Sequence, residues 1–158
     1  MRSVRHLTGV ALGAGALALT GLAFAPAALA VTPQTATASY SCGLYGGGEA
    51  TLTAAQDGTS ATITLTSAEI TTPVNVAQDT VNATLTMARA GGGTIAFTGQ
   101  KNPAMTAGGG VTVGPLSGTV ASGDSLDAYN GNMKMTIFGV TVTCTADGPQ
   151  VPGPFVFD

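Results

Sequence analysis

The chain has 158 residues, of which only 8% are charged, with 23 glycines, two cysteines, one histidine and no tryptophan. The first thirty residues hold two of the five basic residues and none of the eight acids, so residues 31–158 carry a formal charge of −5. An acidic chain is not expected to bind nucleic acid or an anionic membrane, because like charges repel. The single histidine, His6, also lies in the first thirty residues, which leaves the remainder without histidine-dependent catalysis or metal binding.

The N-terminus has the three parts of a secretory signal peptide. Met1–His6 is short and basic, Leu7–Ala25 is uncharged, and Ala28-Leu29-Ala30 is a small-x-small cleavage site. Cleavage of residues 1–30 would make Val31 the first residue of a secreted, extracellular protein with no membrane partner. A retained membrane anchor is the alternative, because nineteen uncharged residues come close to spanning a bilayer.

Residues 31–158 show β-strand patterning and no helical period. Residues 31–36 are predicted to be a flexible lead, 37–147 the β-domain, and 148–158 an extended tail rich in proline and glycine. Val81–Ala88 has the clearest alternation of apolar and polar residues, and Asp57-Gly58 marks a hairpin. The predicted strands are Thr37–Cys42, Thr51–Ala55, Ala61–Ser67, Ile70–Val76, Val81–Ala88, Thr94–Thr98, Val111–Val113, Leu116–Val120, Met133–Phe138 and Val140–Ala146.

Two details of this pattern bear on the later parts of the chain. Ser122–Asn132 is polar and is predicted to be a loop. The last two strands are nearly continuous, and Gly139 switches the parity of their apolar residues, which predicts a bulge or bend.

Cys42 and Cys144 are the only cysteines, and each falls in the apolar phase of an alternating strand. An even pair in an exported chain predicts a disulfide. Closing a loop of about 100 residues would stabilise the fold by about 4 to 5 kcal/mol on the chain-entropy model. A reactive or metal-binding thiol pair is the alternative, but the chain has no CxxC spacing to favour it.

These elements predict an all-β protein with about eight or nine short strands. An antiparallel β-sandwich, immunoglobulin-like or jelly-roll, is the expected architecture, with the signal peptide as an N-terminal helix. A small barrel is the alternative.

Few residues are candidates for chemistry. Asp124, Asp127 and Asn130 offer oxygen ligands of the kind that calcium prefers, but the spacing of a known calcium loop is absent and turn chemistry explains the same residues. The glycine runs lack the Lys-Ser/Thr ending of a phosphate loop. We therefore expect no catalytic residues, no metal and no cofactor. Tyr45, in the glycine-rich loop, is the aromatic residue most expected to be exposed.

The chain resembles small secreted proteins of high-GC actinobacteria such as Streptomyces. The resemblance is carried by the Ala/Gly-rich leader, Tyr40-Ser41-Cys42, the Thr-Val-Thr-Cys run ending at Cys144 and the Pro/Gly tail. The composition is also similar to that of the neocarzinostatin-type apoproteins. These are acidic β-sandwiches that contain two disulfides, and the protein holds a chromophore in a cleft. The first resemblance implies a secreted β-sandwich of no specified function, and the second implies a carrier.

The sequence thus predicts a secreted, non-enzymatic β-module that associates with the cell surface or cell wall in a structural or adhesive role. The alternative is an extracellular carrier of a small apolar ligand. The partner or ligand itself is not predicted beyond these two classes.

Overall fold

The fold is given by a computed structural model, which describes residues 31–158. The predicted signal peptide, with Ala28 and Ala30 of its cleavage site, lies outside the described residues. No helix among residues 31–158 is long and apolar enough to cross a membrane.

The described chain is built from ten β-strands and one turn of 3-10 helix. The elements are β1 (Val31–Thr32), β2 (Thr35–Ser41), the 3-10 turn (Gly43–Tyr45), β3 (Gly47–Asp57), β4 (Ser60–Thr71), β5 (Asn82–Arg89), β6 (Thr94–Gly99), β7 (Gly110–Thr119), β8 (Ser125–Ile137), β9 (Val140–Ala146) and β10 (Phe155–Phe157).

All strand pairings are antiparallel, and the sheet closes on itself. Its hydrogen-bonded order is β8-β5-β6-β7-β4-β3-β2-β9, and β9 pairs again with β8, which makes a barrel of eight strands. β10 and β1 extend from the first residues of β8. The predicted all-β, antiparallel class is confirmed.

The predicted sandwich is not confirmed, because the two sheets that a sandwich keeps apart are joined at both edges. One group, β2-β3-β4-β7, and the other, β6-β5-β8-β9, each have long internal ladders. They meet through the single pair Thr98↔Ser117 on one side and through Tyr40↔Ala146 and Ser41↔Thr145 on the other. These narrow seams convert two packed layers into a closed barrel.

The barrel interior is filled by side chains that alternate inward along each strand. An eight-stranded barrel is just wide enough for side chains to fill it. The largest fully buried side chains are Tyr40, Phe97, Phe155, Phe157, Leu52, Ile63, Leu65, Leu85, Met87, Leu116, Leu126 and Met133. This core includes residues of β3, β4, β5 and β6 that were predicted to face inward.

Both chain ends of the described part take part in the sheet. Residues 31–36, predicted to be a flexible lead, contain β1 and the start of β2, and Val31 is buried. In the tail 148–158, Val151 exchanges two backbone hydrogen bonds with Thr37. β10 then inserts between β1 and β8. The tail therefore covers the part of the β2 edge that β9 does not reach.

Four local predictions differ from the structure. The predicted strand Ile70–Val76 is not a separate strand, because Ile70 and Thr71 end β4 and residues 72–75 lie outside the strands. β8 begins at Ser125, so most of the predicted loop Ser122–Asn132 is strand. β7 runs unbroken through Gly114-Pro115. Gly139 is part of a two-residue turn between two antiparallel strands and is not a bulge in one strand, because the chain reverses there and Ile137 pairs with Val140.

The predicted disulfide between Cys42 and Cys144 is confirmed. Both cysteines are buried, as their strand phase predicts. The bond ties the end of β2 to β9 next to the narrow β2–β9 seam. It therefore holds the barrel closed beside one of its two short hydrogen-bonded seams.

Candidate functional site

One end of the barrel carries a group of exposed apolar side chains, which we call the apolar end. It comprises Leu44, Tyr45, Val74, Phe138 and Val140. Leu44 is fully exposed, Phe138 is 76% exposed and Val140 is 51% exposed. Single exposed apolar residues are ordinary on a protein surface, but a contiguous group marks an interaction site, and Tyr45, Val74, Phe138 and Val140 line one groove.

Three connections at the same end supply these residues. The 3-10 turn between β2 and β3 carries Leu44 and Tyr45, the segment after β4 carries Val74, and the β8–β9 turn carries Phe138. Antiparallel pairing brings the end of β2, the end of β4 and the β8–β9 turn to one rim of the barrel. The apolar end is therefore a product of topology, because its parts are far apart in sequence.

The β8–β9 hairpin shows how inward-facing residues become exposed. Met133 pairs with Cys144, and all the side chains of this pair are buried. Met135 pairs with Val142, which is half-buried, and Ile137 pairs with Val140, which is exposed. The same apolar face thus emerges from the core as the hairpin approaches the rim.

The exposure of this face follows from the pairing of β9. β2 reaches β9 only at Thr145 and Ala146. Val140–Thr143 therefore has β8 on one side and no strand of the described chain on the other. A strand without a second neighbour leaves its apolar residues uncovered near the rim.

The turn that presents Phe138 has an uncommon residue for its conformation. Phe138 has φ of 50° and Gly139 has φ of 79°. Positive φ at both central positions is the pattern of a type I′ hairpin turn, where Asn or Asp followed by Gly is preferred. A bulky residue in this region is a conformational outlier. An outlier whose side chain is also exposed points to a role outside folding.

An apolar groove of about 230 Å³ runs beside these residues. Its walls are Tyr45, Pro73 and Val74 on one side and Phe138 with Val140 on the other. A narrower recess continues inward past Ile137 to Met135 and Cys42. The groove is smaller than the ~300–1,000 Å³ of typical small-molecule sites, which favours a surface contact over enclosure of a whole ligand.

The apolar end is free of charged residues. Residues 42–48, 70–78 and 135–146 contain no Asp, Glu, Lys or Arg. Glu49 and Glu69 stand just behind it and are linked, since the Glu69 carboxylate accepts a hydrogen bond from the Glu49 amide at 2.6 Å. The end is thus suited to an uncharged partner.

The chain was compared with family models, curated proteins and solved structures, and none of them matches it. The chemistry of the described residues is therefore the only guide to function.

The predicted calcium candidates lie at the opposite end of the barrel and are engaged in the fold. Asp124 forms an ion pair with Arg89, whose Nε lies 3.0 Å from Oδ1, and it accepts the amide of Ala121. Asp127 accepts the amides of Tyr129 and Gln150. Within residues 31–158, no group of three or more His, Cys, Asp or Glu side chains is placed to hold a metal ion.

Tyr40 carries one of the two buried polar side-chain atoms that are left unpaired within residues 31–158, the other being Asn132 Oδ1. The Tyr40 side chain is in the core, and its hydroxyl has no hydrogen-bond partner within the described chain. Burial raises the pKa of the Tyr40 phenol far above its usual value, and the negative charge of Asp127 adds to the effect. The phenol therefore remains neutral and serves the core and not acid–base chemistry.

The outer barrel wall is polar and shallow. Thr37, Thr51, Thr66 and Thr112 lie in register across β2, β3, β4 and β7. Thr66 and Thr112 are linked by a hydrogen bond between their hydroxyls. An open hollow of about 560 Å³ on the opposite wall has four threonines among its nine lining residues, with Lys134 as its single charged residue. These faces offer hydroxyls for weak contacts but no enclosed site.

Sequence reasoning identified one member of the apolar end, Tyr45, as exposed, and this is confirmed by its half-exposed side chain. It missed Leu44 and Phe138. The available signal was the Phe138-Gly139 pair between two alternating runs of opposite parity, which is the pattern of a two-residue hairpin.

Proposed function

We propose that this protein is a secreted, non-enzymatic β-module that attaches to the cell surface through its apolar end. The observation that carries the proposal is the group of exposed apolar residues at one rim: Leu44, Tyr45, Val74 and Phe138 on three connections, and Val140 at the start of β9. Such a cluster costs solubility and does not contribute to the core. The simplest reason for it is a partner that covers it.

A non-enzymatic role is supported by the chemistry of the described residues. They include no histidine, and their carboxylates are dispersed or engaged in the fold. General acid–base catalysis depends on titratable groups poised next to a cleft. The lining of the apolar groove contains no His, Cys, Asp, Glu or Lys.

Secretion is supported by two features. The leader has the composition of a signal peptide. The Cys42–Cys144 disulfide suits an oxidising compartment. We propose that the exported protein begins at Val31, and intact mass measurement of protein from culture medium tests this directly.

Fractionation of producing cells tests attachment. We expect the wild-type protein to remain with the washed envelope and a Leu44→Asn/Phe138→Asn variant to be released into the medium. Val151→Asn is the matched control, because Val151 is 66% exposed but lies on the tail beside Thr37. Wild-type protein found wholly in the medium, or equal retention of all three proteins, would refute attachment through the apolar end.

A carrier of a small apolar ligand is the second candidate, favoured by the groove and its inward recess. Its size suits part of a ligand, such as one short chain or one ring. Native mass spectrometry of protein purified from its own host tests this. A stoichiometric extra mass that is lost in Phe138→Asn supports the carrier, and a clean apo mass under mild conditions contradicts it.

A further inference from the structure

The apolar end has a geometry that suits a soft apolar medium. Its most exposed members, Leu44 and Phe138, stand on turns at the rim and not on a flat strand face. Protruding apolar side chains enter a fluid layer without needing a complementary surface. A rigid protein partner would instead require shape matching across the whole patch.

The absence of charged residues at the apolar end restricts the kind of layer that it can enter. Residues 42–48, 70–78 and 135–146, which form this end, carry no charged residue, whereas residues 31–158 as a whole are acidic. Proteins that bind anionic lipid use basic residues next to the membrane. This rim offers none, so an uncharged or zwitterionic layer is the complementary partner.

Part of the backbone of these connections is hydrogen-bonded within the protein. In the 3-10 turn, Cys42 donates its amide to the Gly46 carbonyl at 2.7 Å, and Gly46 donates to the Gly43 carbonyl at 3.1 Å.

The segment after β4 is closed in the same way. The Thr72 amide donates to the Gly109 carbonyl at 3.0 Å, and the Thr72 hydroxyl donates to the Val74 carbonyl at 2.8 Å. Pro73 has no amide hydrogen to satisfy. Polar backbone groups are expensive to take out of water only when they are unpaired. The hydrogen-bonded groups of these connections can therefore leave water at small cost.

From these features we infer that the apolar end inserts Leu44 and Phe138 into the acyl region of an uncharged lipid layer. The inference rests on the proposed function and names its partner. It departs from the sequence-based expectation of no membrane partner, which was argued from net charge and cleavage of the leader. Insertion is shallow, because the unpaired edge of β9 at Thr141 and Thr143 keeps its backbone at the level of water.

Flotation with vesicles of pure phosphatidylcholine tests the inference, using exported protein whose mass shows cleavage before Val31. We expect wild-type protein to float with the vesicles. We expect Leu44→Asn/Phe138→Asn to bind at least about tenfold more weakly, which corresponds to about 1.4 kcal/mol, and Val151→Asn to bind like wild type.

Salt and lipid charge provide a second readout. Raising the salt from about 0.05 to about 0.5 M should leave binding unchanged, because screening weakens only charge-based attraction. Adding anionic lipid should not strengthen binding. A loss with salt, or a gain with anionic lipid, would overturn the inference.

The remaining outcomes separate this inference from the proposed function. In one outcome, wild-type protein does not float with vesicles but stays with the envelope after the lipids are extracted, and this retention requires Leu44 and Phe138. The partner is then a protein or a glycan. The lipid inference then falls and the proposed function stands. A dimer in sedimentation that Phe138→Asn dissociates, with no vesicle binding, shows that a second copy covers the end. That outcome also overturns the inference. Failure to bind both envelope and vesicles removes both proposals.

Discussion

Replacing Phe138 with Asn should stabilise the protein while weakening its attachment. Phe138 occupies the first central position of a two-residue turn with φ of 50°, and Gly139 follows with φ of 79°. The left-handed conformation costs an ordinary residue roughly 1–2 kcal/mol, and Asn is one of the few residues that adopt it readily. The substitution therefore relieves strain at a position where the side chain does little for the core.

The loss of packing partly offsets this gain. Burying a whole Phe side chain stabilises a protein by ~1.5–3 kcal/mol. Phe138 is 76% exposed, so about a quarter of that, or ~0.4–0.8 kcal/mol, is lost on substitution. The net expectation is a gain of about 0.5–1 kcal/mol, which corresponds to a rise in Tm of roughly 2–4 °C for a domain of this size.

Thermal unfolding followed by circular dichroism measures the effect, with urea titration as an independent estimate of the free energy of unfolding. Phe138→Leu is the matched control, because it keeps an apolar side chain in the same strained conformation and should show no gain. Gly139→Ala should lower the Tm, since alanine is strained at φ of 79°. A Phe138→Asn protein that melts at or below the wild-type temperature would refute the reasoning and show that Phe138 contributes to the core.

Three further predictions concern the barrel. Replacing Cys42 and Cys144 with Ser should lower the free energy of unfolding by about 4 to 5 kcal/mol, measured by urea titration; a change below 1 kcal/mol would mean that the bridge does not restrict the unfolded chain. Tyr40→Phe should be neutral or slightly stabilising at pH 7, because the lost hydroxyl has no partner. Since the folded pKa of Tyr40 is raised, wild-type stability should be complete below the unfolded pKa of about 10 and decline above it, and Tyr40→Phe should reduce this alkaline decline; an unchanged pH profile contradicts the assignment. Gly131→Ala should destabilise by roughly 1–3 kcal/mol, because the new Cβ would overlap the Thr86 carbonyl oxygen, whereas Gly148→Ala meets no neighbour and should be silent in the same thermal melt.

The sequence by itself determined the strand phases. Alternation along β3 to β6 predicted which residues face inward, because side chains of a strand point to opposite sides with a period of two. The same periodicity placed Cys42 and Cys144 inside, where they form the predicted bond. The count of charges likewise follows from composition alone.

Barrel closure was decided by tertiary structure. The seams that join the two groups of strands consist of Thr98↔Ser117 and of Tyr40 and Ser41 with β9. The alternation of apolar and polar residues does not distinguish a strand at the edge of a sandwich from a strand at the seam of a barrel. In both architectures the strand has one face towards the core and one towards solvent. Only the distance between the edges distinguishes them.

Exposure at the apolar end was also decided by tertiary structure. Met133, Met135, Val140 and Val142 share one face of the β8–β9 hairpin, yet the methionines are buried and Val140 is exposed. Periodicity assigns a side chain to a face but does not say whether anything covers that face. The β8–β9 hairpin is covered only as far as β2 pairs with β9. The apolar face is therefore part of the core in one half of the hairpin, and we propose that it is a binding surface in the other half.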